Sequence, residues 1–364
     1  MMINSSMIKR KNIAQVVFGC LSFFAVWSCT DQSYEDFQLG IEEEVALTLI
    51  DRGNVATMYW KWHKTEENKE YFAYFNTATR RIECYDLSAN SLLDSFPVDT
   101  EGPNGLLMID FFPDDDQVIQ VGKFKMQQYH YADKSPGRWH YDSLNIWMNS
   151  NYQFLSPFYD SANGWVYASI GTGGQYVRLN VDNRTAQIAS FDRPSGLERF
   201  KEVDGLPTVN DYIAPYFSIA NGKVFFDFPY SSDLFYLPDF TSQDLQRRQV
   251  DIDEPYLDVY TSQRAGDIID DVLFQLPWFG PTRWDPYQKQ YYRIAVSGQT
   301  SSENTSRKGF LLIFDEHLAY KGLTEIPSAV KYNQFFVTTK GLLFRNKEQP
   351  AEDVVYFSYL NFVE

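Results

Sequence analysis

The stretch Glu70–Val98, "EYFAYFNTATRRIECYDLSANSLLDSFPV", decides the fold class. It holds three short runs, "EYFAYFN" (70–76), "RRIECYDL" (80–87) and "SLLDSFPV" (91–98). Each run is apolar or alternates apolar with polar, and aromatic and β-branched residues favour a pleated, half-buried surface. Between the runs lie Asn, Thr, Ser and Asp, whose side chains bond their own backbone and so favour turns. Three strands joined by tight turns are therefore expected here.

The same unit recurs. "VIQVGK…KMQQYHYAD…GRWHYDSL" is a second copy and "GWVYASIG…QYVRLNVD…TAQIASFD" a third. "KVFFDFP…SDLFYLPD…DLQRRQVD" and "YYRIAV…GFLLIFDEHL…YKGLTEI" follow, and "GLLFRNKE…DVVYFSYLN" is a truncated last copy. Strand-ending anchors fall at Asp86, Asp133, Asp182, Asp239, Asp315 and Asn361, about 55 residues apart on average. They read as turn residues. An all-β chain with a period near 50 predicts a propeller of four-stranded blades. The expectation is a six-bladed β-propeller of four-stranded antiparallel blades over residues 43–364. The last copy lacks its outermost strand. "EVALTLI" (44–50) is expected to supply it, so that an N-terminal strand pairs with the C-terminal blade and closes the ring. Helical periodicity is confined to Leu257–Leu276.

"TEGPNGL" (100–106), "YYRIAV" and "GFLLIFDEHLAYKGLTEIP…TTKGLLF" resemble a family of six-bladed β-propeller lipoproteins of Bacteroidetes whose function is unknown. The resemblance covers most of residues 43–364 and implies the fold and a cell-envelope address. It carries no catalytic residues.

The N-terminus reads as an export signal over residues 1–28. Lys9, Arg10 and Lys11 precede an uncharged run, Ile13–Trp27, which is short for a membrane span. "VWSC" (26–29) resembles the lipobox of bacterial lipoproteins, in which the cysteine, here Cys29, is acylated. Acyl chains contribute about 0.8 kcal/mol per buried CH₂, so two or three would anchor the protein stably in a membrane. Asp31, Glu35 and Asp36 resemble the acidic surface-export signal of Bacteroidetes lipoproteins, and an acidic tether over residues 29–42 explains them equally well. The address expected is lipid-anchored at the outer membrane, on either face. Cys20 would leave with the signal, so Cys84 has no disulfide partner in the mature domain.

Aromatic residues make up 17% of the 364-residue chain, which suits a β core. The formal net charge is −16, and loss of residues 1–28 removes three positive charges and no negative ones, taking it to −19. A surface that acidic repels phosphates, so nucleic-acid binding is excluded.

Chemical motifs are sparse. His63, His130, His140 and His317 form no metal-ligand spacing, although His130 and His140 are expected to oppose each other across a hairpin. There is no GxSxG elbow and no P-loop, and "GTGGQY" (171–176) reads as a turn. No metal or cofactor is expected, apart from an incidental Ca²⁺ at "PDDDQ" (113–117). Inner strands are expected to begin near Tyr59, Asn104, Tyr152, Tyr216, Arg283 and Tyr332, placing Asn104, Tyr216, Arg283 and Trp284 as candidate ligand contacts. Arg283 suits a bidentate bond to a carboxylate, and Trp284 a stacked sugar. The role expected is a binding module for a partner protein, glycan or peptide. The alternatives are a carbohydrate lyase or hydrolase working in the channel, and a structural subunit of an outer-membrane assembly.

Overall fold

The computed structural model describes residues 37–49, 60–64, 70–76, 78–98, 108–113, 117–122, 126–131, 139–142, 154–160, 163–170, 175–183, 185–191, 215–239, 242, 244–252, 277–298, 307–349 and 354–363. Strand β1 (Leu39–Thr48) comes first and joins the last sheet. The next four, β2 (Trp60–Lys64), β3 (Glu70–Asn76), β4 (Arg81–Asp86) and β5 (Ser91–Pro97), form one sheet in chain order. The pattern repeats with β6 (Met108–Pro113), β7 (Gln117–Gly122), β8 (Met126–Tyr131) and β9 (Trp139–Asp142). A third sheet holds β10 (Phe154–Asp160), β11 (Trp165–Ile170), β12 (Gln175–Asn180) and β13 (Thr185–Ser190). A fourth holds β14 (Tyr216–Ala220), β15 (Lys223–Asp227), β16 (Leu234–Leu237) and β17 (Gln246–Arg248). A fifth holds β18 (Trp278–Asp285), β19 (Gln290–Val296), β20 (Gly309–Asp315) and β21 (Tyr320–Glu325). The last combines β22 (Val330–Thr338), β23 (Gly341–Asn346) and β24 (Val354–Phe362) with β1, in the order β1-β24-β23-β22. Among the described residues there are thus six four-stranded sheets, all antiparallel, and the fold is a β-propeller.

The first strands of successive sheets approach one another, from β2 to β6, β10, β14, β18 and β22, so they line the centre. Burial follows from that arrangement. Middle strands are covered on both faces: β20 is buried at six of seven positions. The outer strand β17 is exposed throughout. Turn chemistry is as the sequence implies. Asp86 accepts the amides of Ser88 and Ala89 at 2.8 and 3.1 Å, and Asp315 accepts those of His317 and Ala319. Asn221 and Gly222 both have positive φ, as the two-residue link between β14 and β15 requires. His130 and His140 are ladder partners of β8 and β9.

Closure differs from the sequence expectation. Pairing of β1 with β24 completes a single sheet, and it begins at Leu39, inside the stretch read as a polar tether. That sheet meets the β2–β5 sheet through side chains, not through ladder hydrogen bonds. Leu47, Leu343, Val355 and Phe357 pack on Trp60, Phe72 and Tyr85. The joints between other sheets are apolar as well: Phe112 lies 6.1 Å from Phe158, and Tyr292 and Leu311 share a cluster with Val330 and Phe344. Each fully buried aromatic there contributes about 1.5–3 kcal/mol relative to exposure.

Two strand starts differ too, those expected near Asn104 and Arg283, which lie at Met108 and Trp278. Inner strands begin at Trp60, Met108, Phe154, Trp278 and Val330, while Tyr216 does open β14. The largest difference is at β18, expected to begin near Arg283 and found to begin at Trp278. Gly280 and Pro281 fill a bulge between the Phe279–Ala295 and Thr282–Arg293 pairs. Proline lacks an amide to donate, and a bulge tolerates that. The possible helix at 257–276, "TEGPNGL" and the acids of "PDDDQ" lie outside the described residues. Among the described residues no helix is long and apolar enough to cross a membrane.

Candidate site at the axis

Charged side chains in inner strands are costly unless paired, which makes the few present here informative. Lys61, the second residue of β2, meets Asp110 of β6 at 2.7 Å. Its ammonium also lies 4.4 Å from the centroid of the Phe112 ring. Asp110 further accepts the amide of Phe111 at 2.9 Å. Burial holds the Asp110 carboxyl above the usual carboxylate range, against the pull of Lys61 and, more weakly, of Arg283. Arg283 lies on β18, paired with Tyr292.

Arg283 feels the charges of both Asp227 and Asp110, while burial lowers its affinity for its proton. Among the described residues it makes no hydrogen bond and no ion pair. Its acidic neighbours are committed elsewhere. Asp227 accepts Ser218 Oγ at 2.8 Å, the Thr282 amide at 2.8 Å and Thr282 Oγ1 at 2.5 Å. It also faces Arg293 at 3.6 Å. Asp110 is held by Lys61. A guanidinium carries five donors in a planar fork, and those of Arg283 remain uncommitted at the centre of the ring.

Three of the four sequence candidates, Tyr216, Arg283 and Trp284, are described, and they do not form one site. Tyr216 is half-buried and meets Trp278 edge-on, ring centroids 6.2 Å apart. Burial holds its hydroxyl above the usual phenol range. Trp278 opens β18, whereas Arg283 stands five residues along it. Trp284 follows Arg283 and so points to the opposite face of the strand. It packs on Tyr291 at 4.6 Å and on the core shared by neighbouring sheets. Asn104 and Cys29 lie outside the described residues.

Lys61 and Asp110 were missed. A signal existed: Lys61 interrupts "WKW", and Asp110 is a lone acid in "MIDFFP". Charges inside otherwise apolar inner strands mark the axis. Asp110 and Asp227 are both committed to other partners, and among the described residues neither supports the carbohydrate-cleaving alternative. Among the described residues no group of three or more His, Cys, Asp or Glu could hold a metal.

Fold and site together define a β-propeller with an arginine at its axis that is unpaired among the described residues. The chain belongs to the family described as domain of unknown function DUF4221, which matches residues 39–323. A solved member of that family from Bacteroides vulgatus is 15% identical, with a TM-score of 0.63 over 92% of this chain and 100% of that one. A putative exported protein from Bacteroides fragilis is 9% identical, with a TM-score of 0.48 over 87% and 98% of the two chains. A putative 6-phosphogluconolactonase from Bacteroides uniformis is 10% identical, with a TM-score of 0.45 over 90% and 100%. The last two are too distant to bear on function. No curated protein matches the chain.

Proposed function

We propose that this protein is a binding module of the cell envelope that receives a carboxylate-bearing group of a peptide or glycan at Arg283. The observation that carries this reading is the uncommitted guanidinium at the axis, flanked by acids already bonded to other partners. A planar fork matches a carboxylate bidentately. The surrounding low dielectric strengthens such a bond. The net charge of −16 repels anions at long range, so affinity has to come from this local contact.

The envelope address rests on the sequence alone. Cys29 would be lipidated after removal of residues 1–28, and the protein would sit at the outer membrane by that anchor. Cys29→Ala should move it from the membrane fraction to the soluble one, and continued membrane association would refute the anchor.

Binding is tested by calorimetry with short acidic peptides and uronic-acid oligosaccharides, set against their amide and neutral-sugar counterparts. The acidic forms should bind more tightly, and Arg283→Gln should abolish the difference. Equal binding of both forms, or no effect of Arg283→Gln, overturns the reading.

A further inference from the structure

Three arginines show how differently this fold treats the same side chain. Arg293 is fully buried and donates to the carbonyls of Gly280, Phe228, Ser231, Ser232 and Asp233. Arg283 is uncommitted at the axis. Arg345, on β23, is a third case: its Nε is buried with no hydrogen-bond partner. Its guanidinium lies 4.7 Å from the centroid of the Trp60 ring, across the seam between the last sheet and the β2–β5 sheet.

A second cation stands beside it. Val330 of β22 pairs with Asn346 of β23, and the ladder resumes at Phe335 and Phe344. Lys331 therefore leaves the ladder alongside Arg345, where β22 bulges. Like charges side by side on adjacent strands destabilise a sheet. Each cation is also disfavoured by burial, and Lys331 further by Arg345 itself.

Neither has an acid to offset it. Among the described residues Lys331 and Arg345 make no hydrogen bond or ion pair, and no carboxylate acts on either. The acids of the flanking strands are engaged: Glu44 accepts from Asn346 at 3.2 Å, and Glu83 from Tyr74, Tyr85 and Asn76. In a chain of net charge −16, an adjacent pair of cations with no carboxylate is unexpected.

We infer that Lys331 and Arg345 form an anion-binding site, separate from Arg283, that takes a tetrahedral oxyanion such as a phosphate or sulfate group. Trp60 holds the guanidinium against its ring face, 4.7 Å from the centroid. The free edge of the guanidinium offers paired donors, and Lys331 adds a point charge beside it. Such an oxyanion satisfies the orphaned donor and cancels the like-charge repulsion together, which a neutral ligand cannot do. The site stands independently of the reading at Arg283.

The test is thermal unfolding in inorganic phosphate, inorganic sulfate and chloride at matched ionic strength. Phosphate and sulfate should raise the midpoint above chloride by several degrees, and Lys331→Gln should cut that gain by at least half. Arg345→Lys keeps the charge without the fork and should do the same. Arg283→Gln should leave the gain intact, so failure here is distinct from failure at the axis. Phosphate titration should also move the ¹⁵N–¹H resonance of Arg345 Nε and leave that of Arg293 in place. Equal midpoints in all three salts, or an unchanged gain in Lys331→Gln, overturn the proposal. Esters then separate the sources: a sugar sulfate that competes with phosphate points to a glycan, and glycerol phosphate as sole competitor to a lipid headgroup.

Discussion

Arg293 on β19 and Asp227 on β15 face each other at 3.6 Å, both side chains fully buried. Neither depends on the other alone. The guanidinium reaches carbonyls on both sides of the seam between the fourth and fifth sheets, including Gly280 in the β18 bulge. The carboxylate is filled by Ser218 and Thr282. The pair joins two sheets that also share apolar contacts and the hydrogen bond from the Phe279 amide to the Pro229 carbonyl at 2.7 Å.

Replacing Arg293 therefore strands a buried carboxylate and several carbonyls together. Breaking one side of a buried pair costs about 3–5 kcal/mol. Arg293→Met should lower the urea midpoint by that equivalent. Arg293→Lys should fall nearly as far, because an ammonium has three donors where the fold uses a planar fork. A loss below about 1 kcal/mol in Arg293→Met would show that the joint relies on its apolar side chains.

Cys84 sits among Ala73, Phe75, Ile82, Val98 and Phe111. Burial pushes its thiol up to about 12, with Asp94 and Glu83 adding to the effect. The thiolate is the reactive form. At pH 8 a disulfide reagent should modify the native protein on the order of a thousandfold more slowly than the urea-unfolded one. The sign of the pH effect follows. From about pH 9 the unfolded thiol ionises while the folded one keeps its proton, so stability falls from pH 9 toward pH 12. In Cys84→Ala that part of the alkaline loss should vanish.

Gly222 has φ +74° in the β14–β15 link, and an added Cβ would meet no atom within 4 Å. Any cost of Gly222→Ala is therefore conformational, about 1 kcal/mol, read in the unfolding midpoint. Asn221→Ala, at φ +50°, should cost about the same.

Local pattern revealed the strands and turns because each depends on neighbours in sequence. "EYFAYFN" reads as a strand from its composition, and Asp86 as a turn from its own side chain. The joint between the ends of the chain was harder, since Leu47 and Phe357 reach Trp60 and Phe72 by position in the ring, not by local pattern. The start of β18, expected near Arg283, lies at Trp278, because only the cross-strand partners reveal that Gly280 and Pro281 belong to a bulge within the strand. Arg283 could be picked out, but not its separation from Trp284, which follows from the pleat once the strand boundaries are known. Lys331 and Arg345 stand 14 positions apart in sequence and meet only through the β22–β23 register.

Lys61 and Asp110 give the last prediction a sign that can be checked. The Asp110 carboxyl is raised by burial and held down by Lys61 beside it. For an acid raised in the folded state, its contribution to stability is complete below the unfolded value, 3.8, and is lost as pH rises through the folded value. Lys61→Gln removes the main opposing charge, so the folded value climbs and the loss at neutral pH grows. At pH 7 the variant should be less stable than wild type by about 2–3 kcal/mol, part of it the lost contact with Phe112. Near pH 3.5 Asp110 is mostly protonated in the folded state of both proteins, and only the Phe112 part, about 0.5–1 kcal/mol, should remain. The double variant Lys61→Gln, Asp110→Asn should recover most of the loss at pH 7, because no charge is then left unpaired. Urea unfolding at the two pH values measures all three differences. A pH-independent loss in Lys61→Gln would mean that Lys61 acts through packing on Phe112 and not through Asp110.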